Sequence, residues 1–270
     1  MPAMPALKIA TWNINSVRLR IDRVMEFLQT EQPDVLCLQE TKVHNDSFPR
    51  KPFIAAGYDQ LAINGQKAYH GVATIARVPL VDITAREFCN MGDTRHVSVG
   101  LPGGVELHNF YVPAGGDEPD PDINPKFRHK LDFLTEMEDW MKGWSDLGTA
   151  KRIMVGDINI APGEHDVWSH KQLLKVVSHT PIEIEHLDRV IAAGQWRDPV
   201  RAAQPEPEKL FSWWSYRARD WRASNRGRRL DHIWVSPALE KRVSGTAILD
   251  TYRDGEKPSD HCPIVATVKV

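Results

Sequence analysis

Short apolar runs, closed by turn residues and repeated from end to end, constrain this chain more than any other feature. LKIATW, DVLCLQ, GVATIA, VELHNFYV, RIMVG, LDHIWV and CPIVATVKV are rich in β-branched residues and too short for buried helices. They predict strands, mostly buried. Amphipathic helical patterns fall between them. Ser16 is placed to cap a helix through VRLRIDRVMEFLQTEQ, where Val17, Ile21, Val24, Phe27 and Leu28 share one face. FRHKLDFLTEMEDWMKGW, after Pro125, is a second helix; HLDRVIAAGQW, stopped at Gly194, is a third. PAGGDEPDPDINP (113–125) reads as a loop, not a boundary. The expected architecture is a single α/β domain over 1–270, with two sheets packed face to face and helices outside.

Most of these runs end or begin at a polar residue able to bind metal or move a proton. IATW leads to Asn13 and Asn15, VLCLQ to Glu40, VELHNF to Tyr111, and IMVG to Asp157 and Asn159. Asp231 opens LDHIWV, and Asp260-His261 precedes CPIVATV. Strand ends from distant positions converge on one rim in a packed fold, which is how a hydrolytic site is assembled. Side chains two apart on an extended chain share a face, so Asp157 pairs with Asn159 and Asn13 with Asn15. Asp260 and His261, as neighbours, point apart. Asp231 is therefore the expected partner of His261, which leaves Asp260 for metal. Glu40, Asp157, Asp260, Asn13 and Asn159 form an all-oxygen ligand set, and hard oxygen ligands without thiolates select Mg²⁺ or Mn²⁺.

Charge narrows the partner. The chain carries a formal charge of -2, unlike a generic binder of nucleic acid. Yet six arginines stand against one aspartate between Arg217 and Arg229, with Tyr216 and Trp221 among them. A local basic patch on an acidic protein suits an enzyme gripping a phosphate backbone on one face. Cys37, Cys89 and Cys262 are odd in number and far apart, so neither a disulfide framework nor a zinc knuckle is expected, and a reducing, cytoplasmic setting is. No apolar run is long enough to span a bilayer, and MPAMPALKIA has no charged region ahead of an apolar stretch, so neither a membrane partner nor a secretory leader is expected.

In order, WNINSVR, LQETK, NFYVPAG, GDINIAP, RRLDHIWVS and PSDHCPI resemble the motif series of the exonuclease III and apurinic/apyrimidinic endonuclease family, within the endonuclease/exonuclease/phosphatase superfamily. The resemblance runs from about Ile9 to Val268. GDINIAP and SDH alone would fit other branches, including phosphatases and lipid phosphodiesterases. LQETK, FSWWSYR and RGRRLDHI narrow it to the DNA-repair branch. The resemblance implies a four-layered α/β sandwich with two mixed β-sheets. It implies a Mg²⁺-dependent enzyme, monomeric, acting on double-stranded DNA at abasic sites or 3′ ends. It makes Glu40 the principal metal ligand, with Asn13 and Asp260 nearby. Asp157, helped by Asn159, would orient or deprotonate the attacking water. His261, held by Asp231, would contact the scissile phosphate, and Tyr111 would sit on its phosphate or metal side. Arg95, Trp213, Arg228 and Leu230 would face DNA, with Trp213 and Leu230 walling a small apolar pocket for a base-less sugar. Two features depart from the family pattern: the segment HDVWSHKQLLKVVSHTPIEIEHL, and Arg228, where an apolar residue is expected. The competing readings are a phosphatase or phosphodiesterase of another branch, and a non-catalytic binding module.

Overall fold

The computed structural model describes residues 6–218 and 220–270. Residues 1–5, within the segment read as leaderless, and Arg219 of the basic patch lie outside the described residues. Each apolar run forms a strand. In chain order these are β1 (Ala6–Asn13), β2 (Val35–Gln39), β3 (Gln60–Asn64), β4 (Val72–Ala76), β5 (Val81–Thr84), β6 (His96–Leu101) and β7 (Val105–Tyr111). β8 (Lys151–Asp157), β9 (Trp213–Trp214), β10 (Gly227–Arg228), β11 (Asp231–Val235), β12 (Val243–Ile248) and β13 (Ile264–Lys269) follow. One sheet runs β12-β13-β1-β2-β4-β3, the other β11-β8-β7-β6-β5, and β9 pairs with β10 alone. Each large sheet is mixed, because β1 is parallel to β2 and β7 to β8 while their other pairings are antiparallel.

Strand parity divides the buried side chains between layers. Ile9, Val35 and Cys37 of the first sheet meet Leu107, Ile153, Val155 and Ile233 of the second, in the core between the sheets. The alternate residues face outward. Ala10, Trp12 and Leu36 pack under the helices α1 (Ile21–Glu31) and α2 (Arg50–Ala55), through Val24, Phe27, Leu28 and Phe53. Phe110, Met154 and Trp234 pack under α3 (Pro125–Lys142) and, past the short α4 (His170–Leu173), α5 (Pro181–Gly194). The result is the expected four-layered sandwich of helices, sheet, sheet and helices. The short helices α6 (Pro199–Ala203), α7 (Trp221–Ser224) and α8 (Pro237–Glu240) complete it. Among the described residues no helix is long and apolar enough to cross a membrane.

Two helix limits differ from the sequence expectation. Ser16 does not cap α1. It stands at φ 88°, its backbone N–H bonds Glu40 O, and the helix starts five residues later, at Ile21 behind Arg20. The chain here is committed to the rim of the first sheet, and that tertiary bond overrides the local cap. α5 begins at Pro181 rather than near His186. Thr180 and Glu183 form a capping box there with proline at the first position, and Gln195, not Gly194, takes the left-handed turn that ends it. The three cysteines are free; Cys37 and Cys262 are buried and Cys89 is half-buried.

Candidate active site

The parity that builds the core also builds the site. On β1 the inward residues Leu7 and Ile9 are followed by Thr11 and then Asn13; on β8, Ile153 and Val155 are followed by Asp157. Asp157 lies opposite Asp231 on β11 and opposite Tyr111 on β7. Apolar groups fill the inward positions deeper in these strands, and polar ones take over towards the mouth between the sheets: Thr11 and Asn13 on β1, Asn109 and Tyr111 on β7, Asp157 at the end of β8 and Asp231 at the start of β11. Gly156 makes the close approach possible. Its φ is 140°, and a Cβ there would lie 1.9 Å from Phe110 O, so no other residue fits before Asp157.

The groups form two hydrogen-bonded sets, Glu40–Asn13–Asp157–Asn159 and Asp231–His261, joined by an ion pair between His261 and Asp157. Asn13 Nδ2 donates to Glu40 Oε1 and to Asp157 Oδ2, each at 2.8 Å, so a single amide spaces two carboxylates. Asn159 donates its backbone N–H to Asp157 Oδ1 (2.9 Å) and its Nδ2 to Asp157 Oδ2 (3.1 Å). His261 Nδ1 lies 2.8 Å from Asp231 Oδ2, and its Nε2 lies 3.7 Å from Asp157 Oδ2. Asp260 points elsewhere: its Oδ1 accepts from Asn15 Nδ2 (3.2 Å) and its Oδ2 from Trp213 Nε1 (3.0 Å). Both of its oxygens are engaged, so it is less free than its position in the sequence suggested.

Burial and crowding set the protonation states. Burial pushes the Asp157 carboxyl upward, and Asp231 and Glu40 push the same way against the attraction of His261. Burial disfavours an imidazolium at His261, but Asp231, Asp157 and Asp260 outweigh it and raise the pKa, so the ring is a cation. Tyr111 is held well above the usual phenol range, first by burial and then by Glu40 and Asp157, so its hydroxyl stays protonated. Burial also opposes ionisation of Glu40, yet Lys42 and Asn13 hold its pKa below the usual carboxylate range.

The donor set suits a divalent cation. Among the described residues, Glu40, Asp157, Asp231 and Asp260 face two cations at close range, His261 and Lys42. The Lys42 ammonium stands 2.8 Å from Glu40 Oε2 and 2.6 Å from Asn15 Oδ1, so a cation already occupies the edge of this oxygen cluster. Asp157, Asp231 and His261 also lie close enough to share an ion. Within that trio Asp231 Oδ2 is engaged by Ser212 Oγ and His261 Nδ1, while Asp231 Oδ1 is buried without a hydrogen-bond partner.

A cleft of about 600 Å³ runs from Glu40, Tyr111, Asp260 and His261 past Trp213, Leu230 and Arg228 to Trp168, Arg217 and Arg226. Trp213 and Leu230 do line it, and they also pack with Trp168, Val176 and Leu173. The cleft as a whole is roomier than the expected small apolar pocket, and arginines line it beside Trp213 and Leu230. The divergent segment supplies one wall through Trp168, Val176, Val177 and Ser178. Arg95 is not at this surface. It is buried, bonded to Asp93 and stacked 4.9 Å from the Tyr111 ring centroid, so it backs that tyrosine. Arg229 is likewise removed from the basic patch, being buried between Asp166 and Asp198, and Arg222 is paired with Asp254.

Three contributors escaped the sequence reading. Ser212 Oγ donates to Asp231 Oδ2 (2.7 Å) and accepts from the backbone of Leu230 and Asp231, so it fixes the partner of His261. Nothing in FSWWSYR marks a serine for this task. Lys42 lies in LQETK, two residues past Glu40, and was legible as a cation beside an acid. Lys130 is fully buried and donates to Asn159 O (2.8 Å) while pairing with Glu183. Its signal was a lysine in the apolar stripe of Phe127, Leu131 and Leu134.

The model of the endonuclease/exonuclease/phosphatase family matches residues 10–261. The exodeoxyribonuclease III of Haemophilus influenzae is 31% identical, over 97% of this chain and 100% of its own. A DNA-(apurinic or apyrimidinic site) endonuclease of Dictyostelium discoideum is 29% identical, over 97% of this chain and 70% of its own. Among solved structures, an AP endonuclease from Archaeoglobus fulgidus superposes with a TM-score of 0.90 at 30% identity, covering 98% of this chain and 100% of its own. A 3′ phosphatase from Neisseria, bound to a product DNA hairpin, does so with a TM-score of 0.88 at 28% identity, covering 96% and 98%.

Proposed function

Because the chain belongs to the endonuclease/exonuclease/phosphatase family, we propose that it is a DNA-repair phosphodiesterase acting as an exodeoxyribonuclease III and incising 5′ to abasic sites. It is a nuclease, of a family in which metal dependence is typical. The observation that carries the reading is the single network joining Glu40, Asn13, Asp157, Asn159, Asp231 and His261 at the head of an arginine-lined cleft.

Asp157 holds the attacking water and takes its proton, with Asn159 fixing the carboxylate. Water adds to phosphorus as the bond to the upstream 3′ oxygen breaks; that oxygen takes up a proton from solvent, leaving a 3′-hydroxyl and a 5′-phosphate. The His261 imidazolium, oriented by Asp231, donates to a non-bridging oxygen and offsets the charge that grows there. Tyr111, kept protonated, donates to the same phosphate. Glu40, with Asn13 and Asp260 beside it, would hold Mg²⁺ or Mn²⁺, which when bound supplies Lewis-acid stabilisation of the phosphate. Arg217, Arg226 and Arg228 lie where the backbone of duplex DNA would pass, and one copy of the chain contains the whole site.

The test is a labelled duplex with a single abasic-site analogue, incubated with Mg²⁺, Mn²⁺ or chelator beside an inositol-phosphate substrate. Incision 5′ to the lesion is expected with either metal, abolished by chelator, with no phosphate released from inositol. Release from inositol phosphate without incision would move the enzyme to another branch.

A further inference from the structure

Between the two sheets, one layer beneath the rim, three fully buried polar side chains bond to one another. Gln39 Nε2 donates to Thr11 Oγ1 (3.0 Å) and to Asn109 Oδ1 (2.7 Å). Asn109 Nδ2 donates to Leu38 O (3.2 Å) and Ala73 O (3.1 Å). The two carbonyls fix both amides: the Asn109 nitrogen must face them, its oxygen therefore faces Gln39, and Gln39 answers with its own nitrogen. Thr11, Leu38, Gln39 and Ala73 belong to the first sheet and Asn109 to the second, so the set joins β1, β2 and β4 to β7. Each member stands beside a group of the site. Thr11 is two residues before Asn13, Gln39 directly precedes Glu40, and Asn109 is two residues before Tyr111, which lies opposite Asp157.

The set is not there for stability. Gln39 Oε1 is buried without a hydrogen-bond partner, and a partly satisfied polar group in a core is destabilising where apolar residues of the same shape are neutral or better. Elsewhere the sheets meet through groups such as Cys37, Leu107 and Val155. Apolar contact is non-directional, so it holds two sheets together without fixing how one is set against the other. Directed bonds do fix it, and the site depends on that offset. Glu40 and Asn13 come from the first sheet and Asp157 and Tyr111 from the second, yet Asn13 Nδ2 must reach both Glu40 and Asp157 at 2.8 Å. We propose that Thr11, Gln39 and Asn109 are positioning residues for the hydrolysis: they lock the offset between the sheets and thereby hold Glu40 and Asn13 in register with Asp157 and Tyr111. Being buried, they act on the reaction only through these neighbours. The proposal rests on the nuclease reading and deepens it.

The test separates stability from turnover. Gln39→Met and Asn109→Leu, near-isosteric and apolar, are made singly and together. Each is assayed in Mg²⁺ on a duplex with an internal abasic analogue, well below its own melting temperature. Each single change strands a buried partner and should lower the melting temperature, and the double change should regain part of that loss. Turnover should not recover with it. In the double variant kcat should fall by about 10- to 100-fold, the scale of a misplacement of up to about 1 Å. KM should stay within about threefold of wild type, because the surface that meets DNA is unchanged. Thr11→Ser keeps the hydroxyl and should keep kcat, whereas the isosteric Thr11→Val should lose part of it. A merely structural role predicts wild-type kcat in every variant that is folded at the assay temperature. A folded double variant with kcat within about twofold of wild type, or with a change confined to KM, would therefore overturn the proposal. Should the double variant not fold, a Thr11→Val enzyme as fast as Thr11→Ser would overturn it equally. A wild type inert on this duplex in Mg²⁺ would remove the nuclease reading itself, and this proposal with it.

Discussion

In the proposed mechanism Asp157 meets two demands that conflict in an exposed carboxylate: it must stay charged beside other acids, yet be basic enough to take a proton from water. Burial and the nearby Glu40 and Asp231 raise its proton affinity, while His261 and Asn13 keep the charged form accessible. Asp157→Asn preserves the shape and removes the basicity. It should lower kcat by about 10²–10⁴-fold, the usual scale for a positioned base, while DNA binding survives or tightens. An unchanged kcat with a raised KM in steady-state assays would assign Asp157 to binding alone. In the proposed mechanism Asp231 acts through His261, to which it is bonded at 2.8 Å. The double variant Asp231→Ala/His261→Ala should therefore be about as slow as His261→Ala, because groups working as a unit do not add. Additive losses in that cycle would show that Asp231 has a separate task. The direction of this pairing was legible from the sequence, since adjacent residues on a strand point apart. Ser212, which holds Asp231 from the other side, was not, because its contact spans two segments that only folding brings together.

At the scale of elements, the cleft wall depends on how α3 meets α5. Lys130 on α3 and Glu183 on α5 are both fully buried, and the pair also grips Asn159 O and Ser178 N. Lys130→Ala leaves a carboxylate buried without its cation. The expected loss is about 3–5 kcal/mol of stability, read by urea unfolding, together with slower turnover as the Asn159 loop loosens. A loss of less than about 1 kcal/mol would mean that the pair behaves as a solvated one. The capping box at Thr180 and Glu183 explains why α5 starts where it does. That signal was present in the sequence as T-P-I-E. The start of α1 carried no such signal, because it is set by the bond between Ser16 and Glu40 across the rim.

Across the whole molecule, buried ion pairs rather than disulfides tie the later segments together. Arg229 bridges Asp166 and Asp198, and Arg201 joins Asp166. Burial alone would raise the Asp166 pKa, but Arg229 and Arg201 outweigh it and depress it well below the ordinary value. A depressed carboxylate contributes stability that is present above its unfolded pKa, about 3.9, and is lost as pH falls towards the folded one. Asp166→Asn should therefore unfold more readily at neutral pH and show a shallower further decline in acid. Melting temperature measured down through about pH 4 checks this, and an acid slope equal to wild type would reject it. The sequence by itself determined the strands, the layered α/β class and the polar residues at the rim, because period-two patterning and strand ends are local properties of the chain. Only the tertiary structure decided which arginines face the cleft. Arg95, Arg222, Arg228 and Arg229 look equivalent as letters; carboxylates contributed from Asp93, Asp166, Asp198 and Asp254 pair with three of them, and Arg228 instead donates to Val177 O and Ser178 Oγ at the cleft wall.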